Sequence, residues 1–149
     1  MILLAHMLFG AAIGASVHNP YLAIVGAFLG HYFLDLFPHI EYSIDNIRVK
    51  NWKKSVPDIV KVFLDFCLGV VIIFIFSKNT PIIYVSGFVA IIPDGLTVLS
   101  SLFPNKIMAA HDKIHTEKIH YLTKQKKFPL FWRIATQVVT VIICIMLLR

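Results

Sequence analysis

Long apolar stretches dominate this sequence and leave little room for a water-soluble fold. Five of them approach the roughly 20 residues that a helix needs to cross the ~30 Å hydrocarbon core of a bilayer. They cover residues 2–17, 21–37, 57–76, 81–103 and 129–148. Hydrophobic residues make up 58% of the chain and charged residues only 15%, whereas soluble domains are about 25% charged. This composition excludes a soluble globule and also a disordered chain.

The apolar stretches predict an all-α fold, a polytopic membrane bundle of about five transmembrane helices. One membrane domain over residues 1–149 accounts for all of them, with long polar loops at 38–56 and 104–128. Prolines stand at or just before several predicted helix starts, where a missing N–H costs nothing. These are Pro20, Pro57, Pro81 and Pro129. Pro93 instead lies inside the fourth stretch, and we expect it to break that helix beside a cavity.

Basic residues are unevenly distributed between the connections, and this asymmetry predicts the orientation. The short turns hold only Lys78, whereas the two long loops hold ten basic residues. Those ten are Arg48, Lys50, Lys53, Lys54, Lys106, Lys113, Lys118, Lys124, Lys126 and Lys127. With five spans both loops lie on one side, and the positive-inside rule places that side and the N-terminus in the cytoplasm. We therefore expect a multi-pass protein of the cell (inner) membrane.

The net charge of +6 follows from this topology and requires no nucleic-acid partner. Basic loops beside a membrane also attract anionic phospholipid head groups. Gly10 and Gly14, like Gly26 and Gly30, are spaced by four residues, which predicts close packing of the first two helices. A homo-oligomer is compatible with the sequence.

Five ionisable residues lie inside the predicted spans, where each costs roughly 2.5–3.5 kcal/mol on insertion scales. They are His6, His31, Asp35, Asp65 and Asp94. The predicted topology places all five at a similar depth near the cytoplasmic side, although they belong to four different helices. Side chains that share a depth without sharing a helix predict a common polar site.

Imidazole and carboxylate groups are typical ligands of Zn²⁺, Mn²⁺ and Fe²⁺, and zinc is the ion that we expect first. His31 and Asp35 share a helix face at i, i+4 spacing, and Pro38 lets the residue after it fold back over them. His111 and His115 have the same spacing in the second long loop. The predicted metal ligands are His6, His31, Asp35, His39, Asp94, His111 and His115.

A metal ion in such a site favours hydrolysis by an activated water, with Asp65 or Asp94 as the catalytic general base. The substrate expected at this depth is a lipid phosphoester of the cytoplasmic leaflet. Structural alternatives stay open, including an ion pair between Asp65 and Lys61 and a solvated Glu41. His120 is expected to be ordinary. At the level of the whole chain, the alternatives are a metal-ion or proton transporter or channel, and a non-catalytic scaffold whose His/Asp cluster only specifies helix packing.

Four motifs spread over the whole chain resemble a known family. They are His6-x-x-x-Gly10, Leu34-Asp35-Leu36-Phe37-Pro38-His39, Ile92-Pro93-Asp94 and His111-x-x-x-His115-Thr116. Together they resemble the small bacterial and archaeal integral membrane proteins described as metal-dependent hydrolases. That group includes the SOS-induced inner-membrane hydrolase family, which is linked to zinc-dependent phospholipase C-like enzymes. The resemblance implies a metal-dependent hydrolase of the phosphoesterase type.

The chain also departs from that family at two motifs. The family pattern has Leu-Pro-Asp-x-Asp-His after the second helix and His-Arg-Gly-x-Thr-His-Ser in the loop. Here the Asp-x-Asp pair is absent, and the loop histidines lack the intervening Arg-Gly. The chain is then either a divergent member in which Asp94 supplies the second carboxylate, or an inactive relative.

Overall fold

The computed structural model describes residues 1–43, 45–103, 105–120 and 128–149, and these residues form helices with no strand. The all-α prediction is confirmed. The α-helices are α1 (Leu3–Ser16), α2 (Pro20–Asp35), α3 (Asp45–Arg48), α4 (Trp52–Phe76), α5 (Pro81–Val89), α6 (Ile92–Leu102), α7 (Lys106–Lys113) and α8 (Leu130–Leu148). A π-helical segment over Ile114–Ile119 follows α7.

The helices α4 and α8 are each long and apolar enough to cross a membrane, and α5 with α6 makes a third such span if the bent pair is counted as one. The apolar helices α1 and α2 are shorter, with 14 and 16 residues. Both long helices expose large apolar side chains, among them Phe63, Phe74, Phe131 and Met146. Because exposed apolar surface on this scale suits lipid and not water, the chain is a membrane protein.

Helix starts follow the predicted prolines at some positions and depart from them at one. Helix α2 begins at Pro20, and the preceding Asn19 side chain accepts hydrogen bonds from two backbone N–H groups of its first turn. Helix α4 begins at Trp52 and not at the predicted Pro57, which lies inside the helix. The reason is a cap that the prediction overlooked, because the Asn51 side chain accepts from a first-turn N–H.

The predicted break in the fourth apolar stretch is present. Helices α5 and α6 are bent by 43° where they meet. Pro93 stands in the first turn of α6, where it has no N–H to donate to the preceding turn. At the break, the Ala90 carbonyl oxygen lies 2.8 Å from His31 Nδ1. The contact between His31 and Ala90 therefore joins α2 to the junction of α5 and α6.

Helix α1 packs most closely against α5, which changes the predicted role of its glycines. A Cβ atom at Gly10 would lie 2.5 Å from the Ala90 Cβ, and one at Gly14 would lie 2.9 Å from the Ile82 carbonyl oxygen. On α2, Gly30 does face α1. The expected small-residue contact of the first two helices therefore holds for Gly30, while Gly10 and Gly14 serve the α1–α5 contact.

The two long polar connections meet at one end of the bundle. Arg48 of α3 and Asp112 of α7 form an ion pair with a nitrogen–oxygen distance of 3.3 Å. This contact places the first loop beside the second. Part of the second loop, including Lys124, Lys126 and Lys127, lies outside the described residues.

Candidate metal centre

Asp35 is the centre of a buried polar cluster. It is the last residue of α2, and its carboxylate is fully buried. Ring nitrogens of five buried histidines lie 3.1–3.7 Å from its two oxygens. We call the following group the Asp35 cluster: His6, His31, Asp35, His39, Glu41, Asp94, His115 and His120.

Separate parts of the chain contribute to the Asp35 cluster. His6 comes from α1, and His31 and Asp35 come from successive turns of α2. His39 and Glu41 follow α2 directly, Asp94 stands in the first turn of α6, and His115 and His120 belong to the π-helical segment and its end. The structure thus brings together the ionisable residues that the predicted topology placed at one depth, with the exception of Asp65.

Two rings of the cluster have a fixed tautomer. His31 Nδ1 lies 2.8 Å from the Ala90 carbonyl oxygen, and His39 Nδ1 lies 2.6 Å from the Phe37 carbonyl oxygen. Since a carbonyl oxygen only accepts, each Nδ1 carries the hydrogen, and the Nε2 of the neutral ring holds a lone pair. His31 Nε2 faces Asp35 Oδ2 at 3.1 Å, whereas His39 Nε2 lies nearest to Glu41 Oε1, at 3.0 Å. A hydrogen bond from the outer nitrogen orients metal-ligating histidines in the same way.

The inner nitrogens lie too close together for hydrogen bonding alone to satisfy them. His31 Nε2 lies 3.1 Å from His115 Nε2 and 3.1 Å from Asp35 Oδ2. His31 has no second hydrogen in its neutral form, so a proton on His115 satisfies only one of these contacts. A divalent cation between the three groups accepts all their lone pairs at once. The donor set therefore fits a metal ion.

His6 supplies an independent sign of the same kind. Its ring is fully buried and stacks on His31 with ring centroids 4.0 Å apart. Its Nε2 lies 3.1 Å from Asp35 Oδ1, but within the described part of the chain neither ring nitrogen has a partner in hydrogen-bonding geometry. A buried polar atom without a partner costs roughly 1–3 kcal/mol. An ion at the Asp35 cluster would remove that cost.

Among the described residues, two sets of donor atoms are compact enough to hold a metal ion. They are His31, Asp35, Asp94 and His115, and Asp35, His39 and His120. In each set the donor atoms lie within 4.8 Å of one another. Two imidazoles with two carboxylates suit Zn²⁺, Mn²⁺ or Fe²⁺. Asp35 belongs to both sets, and its Oδ1 also accepts a hydrogen bond from the N-terminal ammonium group of Met1 at 2.7 Å.

Glu41 contacts both histidines of the second donor set. Its Oε1 lies 3.0 Å from His39 Nε2 and 2.8 Å from His120 Nδ1. Burial opposes ionisation of Glu41, but the hydrogen bonds from His120 and His39 outweigh it and hold the pKa of this carboxyl far below its usual range. Burial disfavours the charged form of His120, whereas Asp35 and Glu41 stabilise it and raise its pKa to about 9. A negative charge on Glu41 and a positive charge on His120 are therefore favoured in this part of the cluster.

Glu41 and His120 are the members that sequence reasoning missed. His120 was expected to be ordinary. It stands five residues after His115, and two residues with that spacing lie on different faces of an α-helix. The structure has a π-helical segment there, and the His120 N–H donates to the His115 carbonyl oxygen at 3.2 Å. Such i→i+5 turns are frequent at functional sites. The spacing of five was the available signal.

Besides His6, two further predicted site residues lie outside both donor sets, namely His111 and Asp65. His111 Nε2 lies 3.0 Å from the Tyr32 hydroxyl, and the ring stacks beside His115. Burial and the neighbouring His115 lower the pKa of His111. Asp65 accepts the Leu4 N–H at 2.8 Å and so caps the start of α1. Lys61 pairs with Asp58 in the structure, so the alternative pairing with Asp65 is not formed.

A cavity of about 600 Å³ opens beside the cluster. Asp94, His115 and His120 form one end of it, and 32% of the Asp94 side chain is exposed. Pockets of 300–1,000 Å³ with convergent polar groups are typical of small-molecule sites. The first donor set therefore borders a space that is large enough for a substrate.

Helix α8 holds the segment between α2 and Glu41 in place. Arg133 Nε donates to the His39 carbonyl oxygen at 2.8 Å, and Gln137 Nε2 donates to the Ile40 carbonyl oxygen at 3.1 Å. The Thr136 hydroxyl donates to the Pro38 carbonyl oxygen. Three side chains of α8 thus bind three consecutive carbonyl groups, and this fixes the backbone that presents His39.

Replacing Gln137 by methionine keeps its length and removes the donor to Ile40. We expect metal binding at the second donor set, to which His39 belongs, to weaken by up to about tenfold, because outer partners that hold metal ligands in place contribute about 10–100-fold. Thr140→Val is the control, since that hydroxyl donates only to a carbonyl of α8 itself. Chelator competition with the two purified variants measures the difference, and equal affinities would show that the α8 contacts do not position His39.

Comparison with known proteins found no match to the chain among family models, curated proteins or solved structures. The function therefore has to be argued from the site itself.

Proposed function

We propose that the chain is a membrane-embedded, metal-dependent hydrolase that acts on a lipid phosphoester. One observation carries the proposal. Imidazoles whose outer nitrogens are held by backbone carbonyls converge with Asp35 and Asp94 beside an open cavity. The family resemblance of the four sequence motifs points to the same class of reaction.

The first donor set would hold the ion, with zinc as the best match to its two histidines and two carboxylates. When bound, such an ion lowers the pKa of water towards ~7 and polarises a phosphoryl oxygen. His31 and His115 keep their rings oriented through the Ala90 carbonyl and the Thr97 hydroxyl. His31, Asp35 and His115 are buried, whereas 32% of the Asp94 side chain is exposed at the cavity.

Asp94 is the residue that we assign as general base. It belongs to the first donor set and also lines the cavity. One carboxylate oxygen can hold an ion while the other accepts a proton from a water in the cavity. Asp65, the other catalytic candidate, is engaged with the Leu4 N–H, so we assign it a structural role at the start of α1.

The proposed setting is the cytoplasmic face of the cell (inner) membrane, with five spans and a cytoplasmic N-terminus. Two features support it. The basic loops lie at the end of the bundle that holds the cluster, as the Arg48–Asp112 pair indicates, and they would attract anionic phospholipid head groups. The distant end of α4, residues 70–76, is apolar, so this part of the helix offers no polar side chain to a path across the membrane, which favours an enzyme over a transporter.

The test is hydrolysis of phosphatidylglycerol in vesicles by the zinc-loaded chain, followed by ³¹P NMR of the released phosphoester. We expect turnover by the wild type and a loss of about 10²–10⁴-fold in Asp94→Asn, the usual contribution of a general base. Asp65→Asn is the matched carboxylate control and should retain activity. Absence of turnover with zinc, manganese and iron in a folded protein would contradict the proposal, as would a loss in Asp65→Asn alone.

A further inference from the structure

The cavity beside the Asp35 cluster has one wall built from a single face of α6. Gly95, Val98, Leu99 and Leu102 stand at spacings of three and four residues, so they share that face, and all of them line the cavity. Three of the four side chains are aliphatic. The wall therefore begins at the carboxylate of Asp94 and continues as an apolar strip.

At Gly95 this wall of the cavity carries no side chain. A Cβ atom built on Gly95 would meet no other atom of the described residues within 4 Å. Glycine in the interior of a helix costs about 0.5–1 kcal/mol relative to alanine, and packing does not require it here. At Gly10 and Gly14, by contrast, close backbone contacts exclude any side chain. The space at Gly95 belongs to the cavity and not to a helix contact.

Two lining residues from other helices are apolar as well. They are Leu3 of α1 and Val62 of α4. Phe63, the neighbour of Val62, has 61% of its surface exposed, and Leu99 of α6 has 36% exposed. Apolar side chains at the cavity therefore lie next to exposed apolar surface, which suits a hydrocarbon chain that enters from the bilayer.

A cation stands at the polar side of the same cavity. Arg48 lines it, and its contact with Asp112 involves one terminal nitrogen, Nη2. A guanidinium group carries five N–H donors, so donors remain for an anion. Arginine binds phosphate oxygens well, because its planar fork matches their geometry. The cavity thus combines an apolar strip, a cation and the metal-binding carboxylate.

We propose that this cavity binds the hydrocarbon chain of an anionic phosphorus-containing amphiphile and that Gly95 determines which chains fit beside Asp94. The inference rests on the proposed function for its substrate class and adds a specificity-determining residue to it. Gly95 leaves room for the first part of the chain next to the reacting end. A larger residue at this position would exclude the chain without disturbing the donor sets.

Photolabelling tests this proposal without requiring catalysis. The probe is a hexadecyl phosphonate with a photoreactive diazirine in its chain, added to the full chain in phosphatidylcholine vesicles. Its carbon–phosphorus bond is not an ester, so it binds without being hydrolysed. We expect mass spectrometry to find adducts on Val98, Leu99, Leu102 and Val62.

Gly95→Leu should lower this labelling by at least about tenfold, because excluding two buried methylene groups changes affinity by that factor. Gly95→Ala should have a smaller effect. Gly26→Ala is the matched control, since among the described residues its Cβ meets only Ile13, at 3.4 Å, and Gly26 does not line the cavity. Zinc content, measured on the same samples, should be equal in all variants.

Labelling confined to the exposed faces of α4 and α8, or labelling of α6 that persists unchanged in Gly95→Leu, would overturn the inference. Lost labelling together with lost zinc in Gly95→Leu would also contradict it, because the residue would then support the metal centre. Cavity labelling by a chain that shows no lipid hydrolysis would count against the proposed function and leave the binding site intact.

Discussion

Asp35→Asn is expected to leave the purified protein without bound metal. Asparagine has nearly the shape of aspartate but no negative charge, and Asp35 is the one residue that both donor sets share. We expect zinc affinity to fall by more than the roughly 10–100-fold that the loss of an outer-shell partner causes. Elemental analysis after zinc loading and dialysis measures the metal content per chain, and circular dichroism checks that the helices persist.

Asp65→Asn serves as the control for this experiment. Both residues are membrane-embedded carboxylates in the predicted topology, but Asp65 belongs to neither donor set, and an asparagine oxygen can still accept the Leu4 N–H. Its zinc content should equal that of the wild type. Equal zinc in Asp35→Asn and wild type would show that the Asp35 cluster is a hydrogen-bonded packing device, as would a wild type that binds no divalent metal.

Gly10→Ala is expected to destabilise the protein although alanine is the better helix former. The added Cβ would lie 2.5 Å from both the Ala90 Cβ and the Ser86 carbonyl oxygen, so α1 has to move away from α5. Overpacking of this kind costs typically 1–3 kcal/mol. The apparent melting temperature in detergent should fall by roughly 5–10 °C, and zinc affinity should fall with it because His6 lies one turn before Gly10.

Gly26→Ala is the control for this prediction, because the same substitution at Gly26 is expected to change stability in the opposite direction. The same substitution on α2 meets Ile13 in ordinary contact at 3.4 Å, so the gain in helix propensity is expected to raise the free energy of unfolding by up to about 1 kcal/mol. The two variants should therefore shift the melting temperature in opposite directions. A shift of the same sign and size in both would show that the α1–α5 contact yields easily.

The cluster could be predicted from the sequence because ionisable residues are unusual inside membrane-spanning stretches. His6, His31, Asp35 and Asp94 are ionisable groups within apolar stretches, and the cost of such groups in a membrane gives them a common explanation. The kink before Asp94 followed from the missing N–H of Pro93. These features depend on local chemistry and composition, both of which can be read along the chain.

Contacts between distant segments were beyond that reasoning. The partner helix of Gly10 depends on the tertiary fold, as does the contact of Glu41 with His120. The π-helical segment was missed because the assumed helical period was α-helical, and this removed His120 from the predicted ligands. Asp65 shares the chemistry of Asp94 but points at the start of α1, a direction that residue type alone does not specify.

The hydrogen bonds from α8 to residues 38–40 join positions that are 94–98 residues apart in the chain. Contacts between residues so far apart form late in folding, since contacts between residues that are close in sequence form first. During synthesis, α1 and α2 can pack long before α8 has left the ribosome. The backbone at His39 therefore gains its hydrogen bonds to α8 only when this last helix has docked. The second donor set then reaches its final geometry after the rest of the bundle has folded.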